Sequence, residues 1–218
     1  RRLVARMKVL NLYAGIGGNR KLWKNCEVTA VEMNEDIANI YSAYFPNDKV
    51  IIGDAHEFLL KNYNNYDFIW SSPPCQTHSD IRRMGVVAGM YDAKFPDLNL
   101  WQEIIFLQYH CKKKYVIENV KPYYTPFINP TIELERHLFW SNFVINKFKL
   151  EDTNRKHRNI EAGTVVYGFN ISTYKVNNKR AVLRNCVNPD LGLYIFEQAQ
   201  GIIRNEKIEA DSLFGTEI

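Results

Sequence analysis

The chain has 218 residues, enough for one sizeable core and within the span of a single domain. Hydrophobic residues make up 46% and charged residues 24%, an ordinary globular balance, and neither a membrane-length apolar run nor a signal-peptide core is present. A net charge of +4 permits a nucleic-acid partner without demonstrating one, and cysteines at 26, 75, 111 and 186 lack metal-ligand spacing and indicate a reducing, intracellular compartment.

Residues 1–6 read as a frayed basic start or an expression remnant, with Met7 as the native initiator, because the first predicted strand begins there. That strand is KVLNLYA; GIGGN follows, and then a helical stretch to about Asn25. EVTAVEM is the second strand, and NEDIANIYSAYF the helix after it, opened by Asn34 as N-cap. KVIIGD and the short helix AHEFLLKN come next, then the strand YDFIWSS. A long loop, QTHSDIRRMGVVAGMYDAKFPD, leads to the helix LWQEIIFLQYHCKK and the strand KYVIEN. Strands alternating with helices imply an α/β fold with a mostly parallel sheet covered on both faces. Residues 151 to 178 break this rhythm with a polar, basic composition and read as an inserted loop or small lobe. Arg155, Lys156, His157 and Arg158 form its densest charge run; as a rule such runs are either solvated surface or phosphate contacts. AVLRNCVNPDLGLYIFEQAQGII then returns to a core-like pattern, with Pro189 at a helix start.

In open parallel sheets, ligands bind outside the carboxyl ends of the strands. The polar residues that a buried strand does not need fall at those ends: Gly15 to Gly18, Glu32, Asp54, the Pro73-Pro74-Cys75 turn and Glu118-Asn119. Glycines permit positive φ and close approach of a ligand, although many strand-to-helix turns need them. Glu32 is either a surface carboxylate or an acceptor for ribose hydroxyls, and Asp54 either an N-cap or an acceptor for an amino group. Cys75 follows two prolines at a strand edge and precedes polar residues, a setting for a nucleophile as well as for an inert buried thiol. With Glu118 at the next strand end, a thiol and an acid suit addition to an electron-poor ring, the acid protonating a ring nitrogen.

The series NLYAGIGG, VEMNEDIANIYSAYF, GDAHEF, SSPPCQTHS and VIENV resembles the ordered motifs of the DNA cytosine-5 methyltransferases. ELERHLFWSN resembles the family's later arginine motif and LRNCVNPDLGLYI its C-terminal asparagine motif. The resemblance implies a Rossmann-like S-adenosylmethionine-dependent fold: a catalytic domain over 7–150, a reduced target-recognition insert over 151–178, and a segment over 179–218 packing back on the catalytic domain. It implies S-adenosylmethionine as cofactor, no metal, and double-stranded DNA as partner. Cys75 would attack C6 of a flipped cytosine, Glu118 would hold its N3 and N4 edge, and Arg136 would contact the base carbonyl or a phosphate. Tyr13, Ala14, Gly15, Gly17, Gly18, Glu32, Met33, Asp54, Ala55 and Pro73 would bind the cofactor, with Leu100, Asn185 and Val187 closing its pocket. Gln76, Ser79, Arg82, Arg83, Asn119, Arg155 and Arg158 would face DNA. A depressed thiol pKa at Cys75 follows from the chemistry.

Three departures bear on specificity. Pro73 stands where the family has an aromatic residue, so Ser72-Pro73-Pro74 also resembles the amino-group (N4) methyltransferases. Leu134 takes the place of the first of two arginines. The recognition insert is short, which implies a loose target, a partner subunit or dimer that supplies recognition, or recognition by other loops. An RNA cytosine substrate and a non-catalytic, cofactor-binding partner of a longer methyltransferase remain as alternatives; restriction protection, phage self-marking and gene regulation would use the same residues.

Overall fold

The computed structural model of the chain describes residues 6–147 and 160–202. Strands β1 (Met7–Leu12), β2 (Cys26–Glu32), β3 (Lys49–Ile52), β4 (Phe68–Ser71) and β5 (Lys114–Val120) run parallel, and β6 (Ile132–Leu134) and β7 (His137–Ser141) add an antiparallel edge. The resulting seven-stranded sheet has the order β3-β2-β1-β4-β5-β7-β6. Its order reverses beside β1 and β4, where the crevice of a doubly wound sheet opens.

Alternation along β1 shows how both faces are built. Val9 joins a cluster with Val28, Phe68, Trp70, Val116 and Phe139, whereas Leu10 and Leu12 join Val31, Ile69 and Ile117 on the other side. Helix α2 (Ala55–Asn62), followed by a short 3-10 turn at Tyr63–Asn65, covers the second face through Ala55 and Leu59. Helix α4 (Asn99–His110) joins it through Leu100, Trp101, Ile104 and Leu107. The first face is covered by α1 (Glu35–Tyr44) and by α7 (Pro189–Ala199). Asn34 caps α1 as its sequence predicts, accepting from Ile37 N, and Asn188 caps α7 with Pro189 in its first turn.

Residues 20–25, where the sequence predicts a helix after GIGGN, form turns instead. Gly15 (φ 55°) and Gly17 (φ 87°) hold left-handed conformations in the preceding turn, and Asn25 (φ 56°) holds one at the end of the predicted helix. The space is taken by α7: a Cβ on Gly192 would lie 2.4 Å from Asn19 O, and the Trp23 indole donates to Gly192 O at 3.0 Å. The long loop after Cys75 also differs from its expectation, since it contains α3 (Asp80–Val87). Ser79 caps that helix, and Gly89 (φ 70°) follows its end.

Residues 160–178, within the stretch expected as an insert, pack through more apolar contacts than their composition suggests. Helix α5 (Ile160–Tyr167) packs on α6 (Lys179–Arg184), with Gly163 letting Leu183 approach. Tyr167, Phe169 and Ile171 share a buried cluster with Ile16 of the glycine turn and Ile40 of α1. Lys21 lies 3.8 Å above the Phe169 ring and donates to Gly168 O. No helix among the described residues is long and apolar enough to cross a membrane.

Candidate active site

A cavity of about 420 Å³ opens at the carboxyl ends of β1, β2, β4 and β5. At its β1–β2 end, Gly15 N donates to Glu32 Oε2 at 3.0 Å, while Asn34 N donates to Oε1 at 2.9 Å. Glu32 thereby fixes the glycine turn and still lines the cavity, along with Ala14, Met33 and Ala55. The position of a Cβ on Gly15 has no heavy atom within 4 Å, so the turn presents open backbone there. A Cβ on Gly18 would instead lie 2.5 Å from Val187 O, which brings Val187 and Asn185 of the C-terminal segment into the wall. Tyr13, also in the wall, takes φ 53° and donates from its hydroxyl to Glu103 Oε1 at 2.6 Å. Glu103 is fully buried and also receives Ser71 Oγ at 2.6 Å, with His56 Nδ1 3.1 Å away.

The opposite end carries the thiol. β4 is buried throughout and stops at Ser71, and the two prolines stiffen the turn that follows. Asn119 Nδ2 donates to Pro73 O at 2.9 Å, and Asn119 Oδ1 accepts from Val120 N, so this amide fastens the Cys75 loop to β5. Pro73, Cys75, Gln76, Ser79, Glu118 and Asn119 all line the cavity. Arg136 joins them from the tip of the β6–β7 hairpin, whose loop is Glu135 (φ 55°) and Arg136 alone. Its Nη2 donates to Arg184 O at 3.3 Å. Leu134, which precedes that loop, is 4% exposed and belongs to the core.

Electrostatics separate Cys75 and Glu118 from ordinary surface groups. Burial pushes the Glu118 carboxyl up to about 7, against a hydrogen bond with Ser72 and the charge of Arg136. Cys75 differs from the sequence expectation of a depressed value: burial raises it, Glu118 raises it further, and Arg136 and Arg184 only partly oppose them. His137, next to Arg136, is held down at about 3 by burial and by that arginine.

Several predicted residues stand elsewhere. Gly17 faces Phe45 and Tyr41 instead of the cavity, and Asp54 caps α2 by accepting from Glu57 N at 3.0 Å. Leu100 is 2% exposed within the α2–α4 cluster. Arg82 donates to Asp92 O and stacks 4.5 Å over Tyr91, while Arg83 lies 5.9 Å from the Tyr123 ring; neither lines the cavity. Arg155 and Arg158 lie outside the described residues. Ser72, His137 and Arg184 also line the cavity, although none of them was assigned a role there from sequence. Ser72 was legible as part of the Ser72-Pro73-Pro74 turn, and His137 only in its place beside Arg136. Among the described residues, no cluster of His, Cys, Asp or Glu has the arrangement of a metal site.

The family model described as C-5 cytosine-specific DNA methylase matches residues 7–127, which contain both Cys75 and Glu118. A curated Homo sapiens protein, tRNA (cytosine(38)-C(5))-methyltransferase, is 28% identical over 122 residues, covering 53% of this chain and 30% of its own. The chain thus spans less than a third of the length of that relative. Among solved structures, a mutant of Spodoptera frugiperda DNMT2 is 26% identical over 53% of this chain and 36% of its own, with a TM-score of 0.39. The Entamoeba histolytica methyltransferase EhMeth is 21% identical over 53% of this chain and 38% of its own, with a TM-score of 0.35.

Proposed function

The chain belongs to the C-5 cytosine-specific DNA methylase family, and we propose that it methylates C5 of cytosine in double-stranded DNA through a covalent bond from Cys75 to C6. The observation that carries this reading is one cavity lined at one end by Gly15 and Glu32 and at the other by Cys75 and Glu118. Its volume, about 420 Å³, lies in the range of small-molecule sites. The open backbone at Gly15 and the carboxylate of Glu32 fit an adenosyl cofactor, with Ala14, Met33, Ala55, Asn185 and Val187 as its apolar and polar surroundings. S-adenosylmethionine supplies an electrophilic methyl group on a sulfonium.

The chain's own residues do the rest. Cytosine leaves the stack to reach the pocket, since its reacting carbons are inaccessible within a duplex. The Cys75 thiol first gives up its proton to solvent, the Sγ thiolate bonds to C6, the C5–C6 electron pair moves to C5, and Glu118 gives its proton to N3. After C5 is methylated, its proton leaves to a base, the electron pair returns to expel the thiolate, and N3 gives its proton back to Glu118. Asn119 keeps the thiol loop in register with Glu118, and Arg136 supplies a cation at the base carbonyl or a phosphate. Gln76 and Ser79 flank the base, and the α3 arm with Arg82 and Arg83 meets the backbone. The short insert leaves part of the recognition to that arm, or to a partner subunit or second copy.

One observation favours RNA as a second reading: the human relative is named as a tRNA methyltransferase. Duplex DNA and RNA containing 5-fluorocytosine, incubated with S-adenosylmethionine and run on denaturing gels, separate the two. Fluorine cannot leave as a proton does, so a covalent adduct accumulates on the true substrate. An adduct on DNA, lost in Cys75→Ser while cofactor binding persists, is the expected result. An adduct on RNA alone moves the assignment to RNA, and turnover in Cys75→Ser removes the nucleophile.

A further inference from the structure

His137 lines the cavity, is 7% exposed, and has no part in the chemistry above. On β7 it pairs with Val120 of β5, while Phe139 pairs with Glu118. His137 and Glu118 therefore stand diagonally on the same face of adjacent strands. His137 Nε2 lies 3.6 Å from Glu118 Oε1, and Nδ1 is buried with no hydrogen-bond partner among the described residues. Burial and Arg136 keep the imidazole neutral, so it carries one N–H. On Nδ1 that hydrogen would be buried and unsatisfied, and the Nε2 lone pair would face a carboxyl oxygen. On Nε2 it points to an acceptor, and only a lone pair remains unpartnered, the cheaper defect.

We propose that His137 is a positioning residue for Glu118: its Nε2–H is directed at Oε1, fixes the rotation of the carboxyl, and leaves the proton on Oε2 for delivery. At 3.6 Å the contact is longer than a hydrogen bond, and active-site hydrogen bonds commonly shorten when the reacting group binds. The other groups facing Glu118 are Ser72 from the end of β4, Cys75 from the loop and Arg136 from the hairpin. Arg184 from α6 faces Cys75. The inference rests on the reading of Glu118 as proton donor.

Two readouts test it. Isotope-edited infrared spectroscopy follows the Glu118 carboxyl through its titration in the protein alone, with Glu118→Gln identifying the band. The pH profile of 5-fluorocytosine adduct formation follows the same group in turnover. His137→Leu removes the donor, and His137→Gln retains an N–H near the Nε2 position. A hydrogen bond to a carboxylate favours its ionised form, so His137→Leu should move the Glu118 midpoint to higher pH by about one pH unit. His137→Gln should return it, and the alkaline limb of adduct formation should move in parallel. Should His137→Leu fail to fold, His137→Asn replaces it, because its N–H sits near the Nδ1 position and should also leave the midpoint raised. A midpoint that is the same in His137→Leu or His137→Asn as in the native protein overturns the inference. No adduct from the native protein, with the midpoint shifted as stated, removes the methyl-transfer reading and leaves the pairing of His137 with Glu118 in place.

Discussion

In the proposed reaction Cys75 is under two opposed demands. As nucleophile it would have to ionise, yet burial and the neighbouring carboxyl both favour the neutral thiol. Protonation of Glu118 relieves one of those obstacles, because a neutral acid exerts no charge on the thiolate. The two groups are thus coupled so that the acid is loaded when the nucleophile is released. Glu118→Gln makes this loading permanent in charge terms. Its Cys75 should alkylate with iodoacetamide along a pH curve displaced to lower pH, read by mass spectrometry of the Cys75 peptide. Methyl transfer should fall by about two to four orders of magnitude, the usual effect of losing a general acid. An undisplaced alkylation curve would show that Glu118 does not govern the thiol.

Among the elements, α7 decides the shape of the glycine turn. It buries Leu191, Tyr194, Ile195 and Phe196 against the sheet, and at Gly192 it comes so close to the turn that a Cβ there would lie 2.4 Å from Asn19 O. Asn19 in turn exchanges side-chain hydrogen bonds with Asn11, which is wholly buried on β1. Gly192→Ala would force a methyl group against Asn19 O, Cα and C, all backbone atoms that cannot rotate away. We expect it to cost about 1–3 kcal/mol, as overpacking does, and to weaken cofactor binding by displacing the turn. Urea denaturation and equilibrium binding of S-adenosylhomocysteine measure the two effects, and an unchanged denaturation midpoint would contradict this packing argument.

Across the whole molecule, the buried pair of Glu118 and His137 shapes stability against pH. Glu118 is raised to about 7, so the folded state holds a proton that the unfolded chain releases at ordinary carboxylate pH. Its contribution is complete below about pH 4.5 and is lost as pH rises through about 7, a change of roughly 3 kcal/mol. His137 has the opposite sign: its contribution is complete above about pH 6.5 and is lost as pH falls toward 3. Over the overlapping window the two slopes oppose each other. The difference in unfolding free energy between the native protein and Glu118→Gln should therefore fall steadily from pH 4.5 to pH 7. A constant difference over that range would mean that Glu118 is not buried as an acid.

The parallel sheet, its strands and the N-cap of α1 were legible in residues 7 to 120, because buried strands are apolar runs and caps have fixed chemistry. So were Cys75 and Glu118, since in a parallel sheet successive strands deliver their carboxyl ends to one edge, and a thiol or acid there stands out against apolar flanks. The helix expected after the glycine turn does not form, because the occupant of that layer, α7, lies far away in sequence where local propensity does not register it. Asp54 was legible as the N-cap it forms, whereas the burial of Leu100 among α2 and α4 is a matter of packing that its position in the chain does not reveal. The raised thiol pKa and the approach of His137 to Glu118 depend on burial and on an antiparallel register joining distant segments. Chemistry carried by residue identity can be read along a chain; chemistry that arises from desolvation and from contacts between distant strands exists only once the chain has folded.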